Sequence, residues 1–126
     1  MNIKEAYTNW SSSYDVDRNL TRDLDERVTR DALMNLRCKS IIEIGCGTGK
    51  NTSLLSQIGE KVHAIDFSEG MINKAKGKIQ LHNVTFSIAD ITKHWHFKDE
   101  SADLIACNLV LEHVENLSFI FFEASR

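Results

Sequence analysis

Three glycines alternate with single residues directly after a short apolar run. The run spans residues 41–44 and is rich in β-branched side chains, which favours a buried parallel strand. The glycines are Gly45, Gly47 and Gly49, and a helical pattern begins soon after them. Since glycine has no Cβ, backbone at these positions can approach a ligand closely. The order strand, glycine turn and helix predicts a nucleotide-like ligand at the end of a sheet.

Three glycine-loop patterns compete for this segment. The dinucleotide fingerprint G-x-G-x-x-G requires glycine at position 50, which is Lys50. The phosphate loop G-x-x-x-x-G-K-[ST] requires glycine at position 44 and a hydroxyl at position 51, which are Ile44 and Asn51. The pattern E-x-G-x-G-x-G, starting at Glu43, fits at every position. On this motif alone, a glycine-rich turn without a ligand stays an alternative.

The third pattern resembles the first motif of the Rossmann-like (class I) S-adenosylmethionine-dependent methyltransferases. The resemblance implies an α/β fold, a Rossmann-like three-layer sandwich whose mostly parallel sheet has the strand order 3-2-1-4. It also implies S-adenosylmethionine as cofactor and S-adenosylhomocysteine as product. The glycines, with Cys46 between them, would shape the turn under the methionine part. Glu43 would organise that turn or meet the cofactor's amino group through water.

Asp66 ends a second apolar strand, about 20 residues beyond Gly45. A carboxylate suits a ribose diol because it offers two acceptor oxygens, and the resemblance assigns Asp66 to the ribose. Ser68 is a good N-cap for the helix that follows. Phe67 and Met71 match family positions that lie against the cofactor, although either side chain could belong to the core. For Asp66 alone, a surface turn is the alternative.

Alternation over residues 84–90 predicts a third strand that again ends in a carboxylate, Asp90. By resemblance, Asp90 accepts a hydrogen bond from the adenine amino group, with Ala89 and Ile91 beside it. Any strand can end in aspartate, so the order of the motifs carries this assignment.

A fourth apolar strand spans residues 102–110. By resemblance, Asn108 and Leu109 contact the methionine end of the cofactor. His113, which follows, is a weak candidate for a general base toward a protic acceptor, because histidine titrates near neutrality. Alternatively, His113 caps the next helix or packs on the cofactor.

The N-terminal segment forms a separate unit in this interpretation. Apolar residues recur every four positions and predict an amphipathic helix; they are Leu20, Leu24, Val28, Ala32 and Leu36. By resemblance, Tyr14 borders the cofactor, whereas the alternative is that it docks the segment on the core. We therefore expect one domain over residues 1–126, with a helical cap over 1–37 and a Rossmann-like core over 38–126. The expected element order is helix, strand, helix, strand, helix, strand, strand, helix.

Composition limits the partners. The chain has 126 residues, a formal net charge of −3 and 26% charged residues, which suits one ordinary soluble domain. It shows no basic stripe for nucleic-acid phosphates, so a small-molecule or protein-borne acceptor is favoured. No run approaches ~20 apolar residues, so no membrane span is expected. The three cysteines show no metal-ligand spacing, so no metal is expected, and cytoplasm is the default location.

The family fold has seven strands, whereas only four are legible here, so the domain is expected to be truncated relative to that fold. We expect the fourth strand to be covered by a homodimer partner, by another chain or by rearranged packing, since an open edge promotes aggregation. The expected function is S-adenosylmethionine-dependent methyl transfer to an unidentified acceptor. The alternatives are a non-catalytic S-adenosylmethionine-binding module or a truncated subunit that needs a partner. A nicotinamide-dependent oxidoreductase is disfavoured by Lys50.

Overall fold

A computed structural model describes residues 4–6, 20–108 and 114–126, with side chains described from residue 23 onward in the second range. Residues 4–6 form one helical turn. The other elements, in chain order, are α1 (Leu20–Leu33), β1 (Cys38–Ile44), α2 (Thr52–Ile58), β2 (Gly59–Asp66), α3 (Glu69–Lys78), β3 (Val84–Ile88), β4 (Leu104–Cys107) and α4 (Leu117–Ser125). This is the order that the hydrophobic pattern predicts. Within the described ranges, no helix combines the length and the apolar character that crossing a membrane requires.

The four strands form one parallel sheet in the order β3-β2-β1-β4, so the predicted fold class and strand order are confirmed. The register places Ile44 of β1 opposite Ile65 of β2 and Cys107 of β4. Asp66, the last residue of β2, pairs with Ile88 at the end of β3. The carboxyl ends of all four strands therefore meet at one edge, where open α/β sheets bind their ligands.

Successive side chains of a strand point to opposite faces of the sheet, and buried apolar side chains cover each face. On one face, Ile41 and Val62 pack against Leu55 and Ile58 of α2. On the other face lie Ile42, Ile44 and Ile65, together with Ile91, Trp95 and Ile120. The end of β1, residues 41–44, is buried at every position and needs this two-sided cover. The result is the three-layer arrangement expected from the sequence.

Helix α3 begins where the sequence predicts it. The Ser68 side chain accepts a hydrogen bond from the Met71 amide at 3.3 Å, which satisfies one of the free amides of the first turn. Helix α4 begins in the same way, since Asn116 accepts from the Phe119 amide at 3.2 Å. These caps fix the points at which the chain leaves the sheet and turns into a helix.

Helix α1 is present, but its apolar repeat does not face the core. Leu24 and Val28 are 62% and 57% exposed, whereas Thr29 is only 7% exposed. Leu33, at the end of the helix, does pack against the apolar cluster of α2. The part of the sheet edge that α1 meets is polar, as described below, so the helix turns its polar side toward it. The four-residue spacing thus predicts the helix correctly but not its buried face.

Candidate functional site

The turn between β1 and α2 uses all three of its glycines in the left-handed region. Gly45, Gly47 and Gly49 have φ values of 71°, 57° and 92°. The turn is tied to the sheet by the Cys46 amide, which donates to the Ile65 carbonyl at 3.0 Å. It closes on itself through the Gly49 amide, which donates to the Cys46 carbonyl at 3.0 Å. L-residues with side chains rarely adopt such φ values, so the alternating glycines follow from the backbone path.

Two of these glycines have different neighbours. A Cβ added at Gly49 would collide with the Cδ1 atom of Ile79, so Gly49 allows the turn to pack closely against the end of α3. Among the described residues, no atom lies within 4 Å of a Cβ built at Gly47. Gly47 therefore lies against open space, where the backbone can be approached by a ligand. A nucleotide-type ligand fits this arrangement, because its close contact with the turn depends on the missing Cβ.

Asp66 joins the glycine turn to the start of α3. Its Oδ2 atom accepts a hydrogen bond from the Gly47 amide and its Oδ1 atom accepts one from the Ser68 amide, both at 2.9 Å. Burial raises the pKa of Asp66, and the amides of Ser68, Gly47 and Phe67 oppose that rise. A carboxylate has about four acceptor sites, so three amide hydrogen bonds leave capacity for about one further donor. The side chain is thus held in place without using all its oxygen lone pairs.

Glu43 lies beneath the same turn and is buried. It accepts a hydrogen bond from the hydroxyl of Thr52, the first residue of α2. Burial raises the pKa of Glu43 from 4.5 to about 7; the Thr52 hydrogen bond opposes this rise, and the charge of Asp66 adds to it. Because Glu43 connects the end of β1 to the start of α2, the geometry supports its predicted role in organising the turn. Contact with an amino group through water stays a prediction.

Cys46 is buried with Ala64 and Ile72 in a small apolar cluster. Burial, with smaller contributions from the charges of Glu43 and Asp66, raises the pKa of the Cys46 thiol well above its usual range. A protonated buried thiol is a poor nucleophile. The Cys46 side chain therefore fills space under the turn, and the neighbouring backbone forms the surface of the turn.

Asp90 lies near the end of β3, as predicted, and its side chain is exposed. The Asp90 Oδ1 atom accepts from the Thr92 amide at 2.9 Å and from the Thr92 hydroxyl at 2.5 Å. Although partial burial raises the pKa of Asp90, these bonds and the charges of Lys93 and Lys4 bring it below its usual value. The Ala89 amide donates to the Asp66 carbonyl at 2.9 Å, so this segment directly adjoins the end of β2.

Asn108 directly follows β4, and its side chain contacts α1. The Nδ2 atom donates to Asp25 Oδ1 at 3.0 Å and to Thr29 Oγ1 at 2.7 Å. Both amide hydrogens of Asn108 thus serve the helix. Asp25, Thr29 and Asn51, which lie at this junction, were not singled out from the sequence. The available signal was the four-residue spacing of Asp25 and Thr29, which places both on one side of the helix, about 100° around its axis from Leu24 and Val28.

The structure brings Glu43, the glycine turn, Asp66, Asp90 and Asn108 together at the carboxyl edge of the sheet. Phe67 follows Asp66 and is half-buried, whereas Met71 is fully buried, so a contact of Met71 with a ligand stays a prediction. Ile91 packs in the core beside Trp95. Three predicted residues lie outside the described ranges, and they are Tyr14, Leu109 and His113.

Comparison with known proteins gives a family for this arrangement. Residues 42–126 match the family described as "Methyltransferase domain". Malonyl-[acyl-carrier protein] O-methyltransferase 2 of Coxiella burnetii (strain RSA 493 / Nine Mile phase I) is 28% identical over 123 residues, which cover 95% of this chain and 49% of that protein.

Solved structures share the fold. Phosphoethanolamine N-methyltransferase 1 of Haemonchus contortus, solved with phosphoethanolamine and S-adenosylhomocysteine, superposes with a TM-score of 0.78 and 21% identity. The match covers 98% of this chain and 29% of that one. The DhpI-SAM-HEP complex superposes with a TM-score of 0.75 and 30% identity, over 96% of this chain and 56% of that one.

The chain spans about half the length of the curated relatives it matches, or less. The matched family region nevertheless contains β2, β3 and β4, the whole glycine turn and both strand-end aspartates. The motif resemblance and the strand order point to the same class of protein as the family match. The chain therefore belongs to the methyltransferase-domain family.

Proposed function

We propose that this chain binds S-adenosylmethionine at the carboxyl edge of its sheet and serves the transfer of its methyl group to an acceptor. The observation that carries the proposal is the Asp66 carboxylate, which the amides of Gly47 and Ser68 hold beside an open glycine turn. Two supporting facts are the family match and the DhpI structures, which are complexes with SAM or SAH.

Each part of the cofactor has a chemically matched group. The remaining acceptor capacity of Asp66 suits a ribose hydroxyl, and the exposed carboxylate of Asp90 suits the adenine amino group. The backbone at Gly47 is open to the methionine part, while Glu43 supports the turn from below. When bound, the cofactor supplies a methyl group that its sulfonium makes electrophilic. The chain's residues orient that group and exclude water from it.

The acceptor is proposed only by class. The Coxiella relative is named for a malonyl group on a carrier protein and the Haemonchus enzyme for a phosphoethanolamine nitrogen, so the relatives differ in the acceptor atom. We propose a small or carrier-borne acceptor, with His113 as general base where that acceptor must lose a proton. The same proposal includes a cytoplasmic location. It also divides the chain into a helical cap over residues 1–37 and a core over residues 38–126.

Calorimetric titration of the 126-residue chain tests the cofactor site. The ligands are S-adenosylmethionine and S-adenosylhomocysteine, with NAD as the control for a nicotinamide site. We expect saturable binding of the two adenosyl ligands and none of NAD. Failure of a folded chain to bind either adenosyl ligand would refute the proposal. Preferential binding of NAD would indicate an oxidoreductase instead. Methyl transfer to malonyl-acyl-carrier protein is the first activity to assay.

One observation favours the second candidate, a binding module that works only with a partner. Strand β4 lies at an edge of the described sheet, and Phe121 and Phe122 of α4 are 60% and 65% exposed. A homodimer partner or another chain would cover such a surface. Sedimentation of the chain with bound S-adenosylhomocysteine, combined with a separate methyl-transfer assay with S-adenosylmethionine, distinguishes the candidates. A monomer with methyl-transfer activity contradicts the partner requirement, whereas an inactive monomer that still binds the cofactor supports it.

A further inference from the structure

The carboxylate of Asp25 bridges two segments that border the proposed cofactor cleft. Its Oδ1 atom accepts from the side chain of Asn108, directly after β4, at 3.0 Å. Its Oδ2 atom accepts from the side chain of Asn51, directly after the glycine turn, at 3.4 Å. Since β1 and β4 are neighbours in the sheet, one side chain of α1 holds the turn of one strand and the end of the other.

Further polar contacts at the same junction attach α1 to this edge. The buried Thr29 hydroxyl accepts the second hydrogen of the Asn108 amide at 2.7 Å. Lys50, which follows the last glycine of the turn, lies 3.3 Å from Asp23 and 3.5 Å from Glu26. These ion pairs are partly solvated, so their contribution is small compared with that of the half-buried Asp25 bridge.

The way in which α1 is seated makes this bridge decisive. Leu24 and Val28 remain exposed, so apart from the packing of Leu33 near its end, the described contacts of α1 are polar. Elements with few buried apolar contacts open most readily. Loss of Asp25 would leave one amide hydrogen of Asn51 and one of Asn108 without this acceptor, while Thr29 still accepts the other hydrogen of Asn108. The spacing between the turn and the end of β4 would then relax.

We infer that Asp25 is a positioning residue for the adenosyl cofactor. Its carboxylate fixes the glycine turn relative to the end of β4, and so controls cofactor affinity without contacting the cofactor. The inference rests on the proposed function, because it assumes that the ligand lies between those two segments. It assigns the helix before the sheet a defined task in ligand binding.

The test is the affinity for S-adenosylhomocysteine, measured by calorimetry at a temperature well below the unfolding transition of every variant. Asp25→Ala is expected to weaken binding roughly three- to thirtyfold, as a change in positioning does. Asp23→Ala is the matched control, because it removes the same charge from the same helix and leaves Glu26 to pair with Lys50. We expect that control to bind within about twofold of the unsubstituted chain.

An exchange of partners separates positioning from a general loss of stability. Asn51→Asp alone sets two carboxylates against each other and should weaken binding. It removes no side-chain cap from α2, because the Asn51 side chain makes no capping hydrogen bond. The double variant D25N/N51D reverses donor and acceptor. The amide introduced at position 25 can still donate to position 51 and accept from Asn108. Affinity should therefore return to within about twofold of the original value.

The outcomes are distinguishable. If the unsubstituted chain does not bind S-adenosylhomocysteine, the proposed function fails and this inference fails with it. If it binds and Asp25→Ala binds equally well, the inference alone is overturned. If Asp25→Ala does not fold, the comparison of Asn51→Asp with the double variant decides. A double variant that is no better than Asn51→Asp contradicts the inference.

Discussion

Replacing Glu43 by glutamine should change how the stability of the chain depends on pH. Glu43 is buried beneath the glycine turn, and burial raises its pKa from 4.5 to about 7. The folded state therefore binds the Glu43 proton more tightly than the unfolded state does. The stabilisation from this difference is fully present below pH 4.5 and is lost as pH rises through about 7. At ~1.4 kcal/mol per pH unit, the total loss is about 3 kcal/mol.

Urea unfolding followed by tryptophan fluorescence, at a series of pH values from about 4.5 to about 8, measures this effect. The free energy of unfolding of the original chain, minus that of Glu43→Gln, should fall by about 3 kcal/mol across the series. Other titrating groups, including Asp66, are common to both proteins and largely cancel in the difference. The glutamine amide keeps an oxygen acceptor for Thr52, so the two proteins should also fold to the same structure.

Glu60→Gln serves as the control, because Glu60 is an exposed carboxylate on the neighbouring strand β2. The difference in the free energy of unfolding between the original chain and Glu60→Gln should stay constant across the pH series. A flat difference for Glu43→Gln as well, within about 0.5 kcal/mol, would refute the reasoning. It would mean that the folded chain does not hold the Glu43 proton more tightly than the unfolded chain.

Four further substitutions test the site and its scaffold. Asp66→Ala should weaken S-adenosylhomocysteine binding by roughly 1–3 kcal/mol, as measured by calorimetry, and an unchanged affinity would exclude Asp66 from the site. Gly49→Ala should destabilise the chain by roughly 1–3 kcal/mol in urea unfolding, because of its positive φ and the collision with Ile79. Gly77→Ala, in an open helical position of α3, should instead stabilise the chain by roughly 0.4–1 kcal/mol. Equal effects of Gly49→Ala and Gly77→Ala would contradict the special role of Gly49 in the turn. Ser68→Ala should lower the thermal unfolding midpoint by an amount that corresponds to about 1 kcal/mol, through loss of the α3 cap.

The strand ends could be predicted because their signals are local. β1 is an apolar run that stops at a glycine, β2 stops at Asp66, and β3 stops shortly before Asp90. Once strands and helices alternate, a parallel sheet places these ends at one edge whatever the details of packing. The Ser68 cap is equally local, because its acceptor and donor are three residues apart. Short-range patterns were therefore sufficient for the strands, the turn and the position of Asp66, whereas the strand order came from the family resemblance.

The orientation of α1 against the sheet edge could not be predicted in the same way. The Leu24 and Val28 repeat indicates an apolar face, and hydrophobic burial alone would turn it inward. The structure instead pairs Asp25 with Asn108, 83 residues away, so the polar side of α1 lies against the sheet edge. No window of sequence contains both partners, and neither residue has a distinctive motif. The orientation of a helix at a polar edge depends on such long-range pairs.

Asp66 and Glu43 both contact the turn, but their carboxylates use their oxygens differently. Both Asp66 oxygens accept from backbone amides, so an asparagine there would bring its amide group against the amide of Gly47 or Ser68. Glu43 meets the Thr52 hydroxyl through a single oxygen. A glutamine or a protonated glutamate can supply that oxygen equally well. The charge is therefore needed at Asp66, which adjoins the open turn, whereas Glu43 needs only its shape and one acceptor. Substitution by the neutral amide should consequently be tolerated at position 43 and not at position 66.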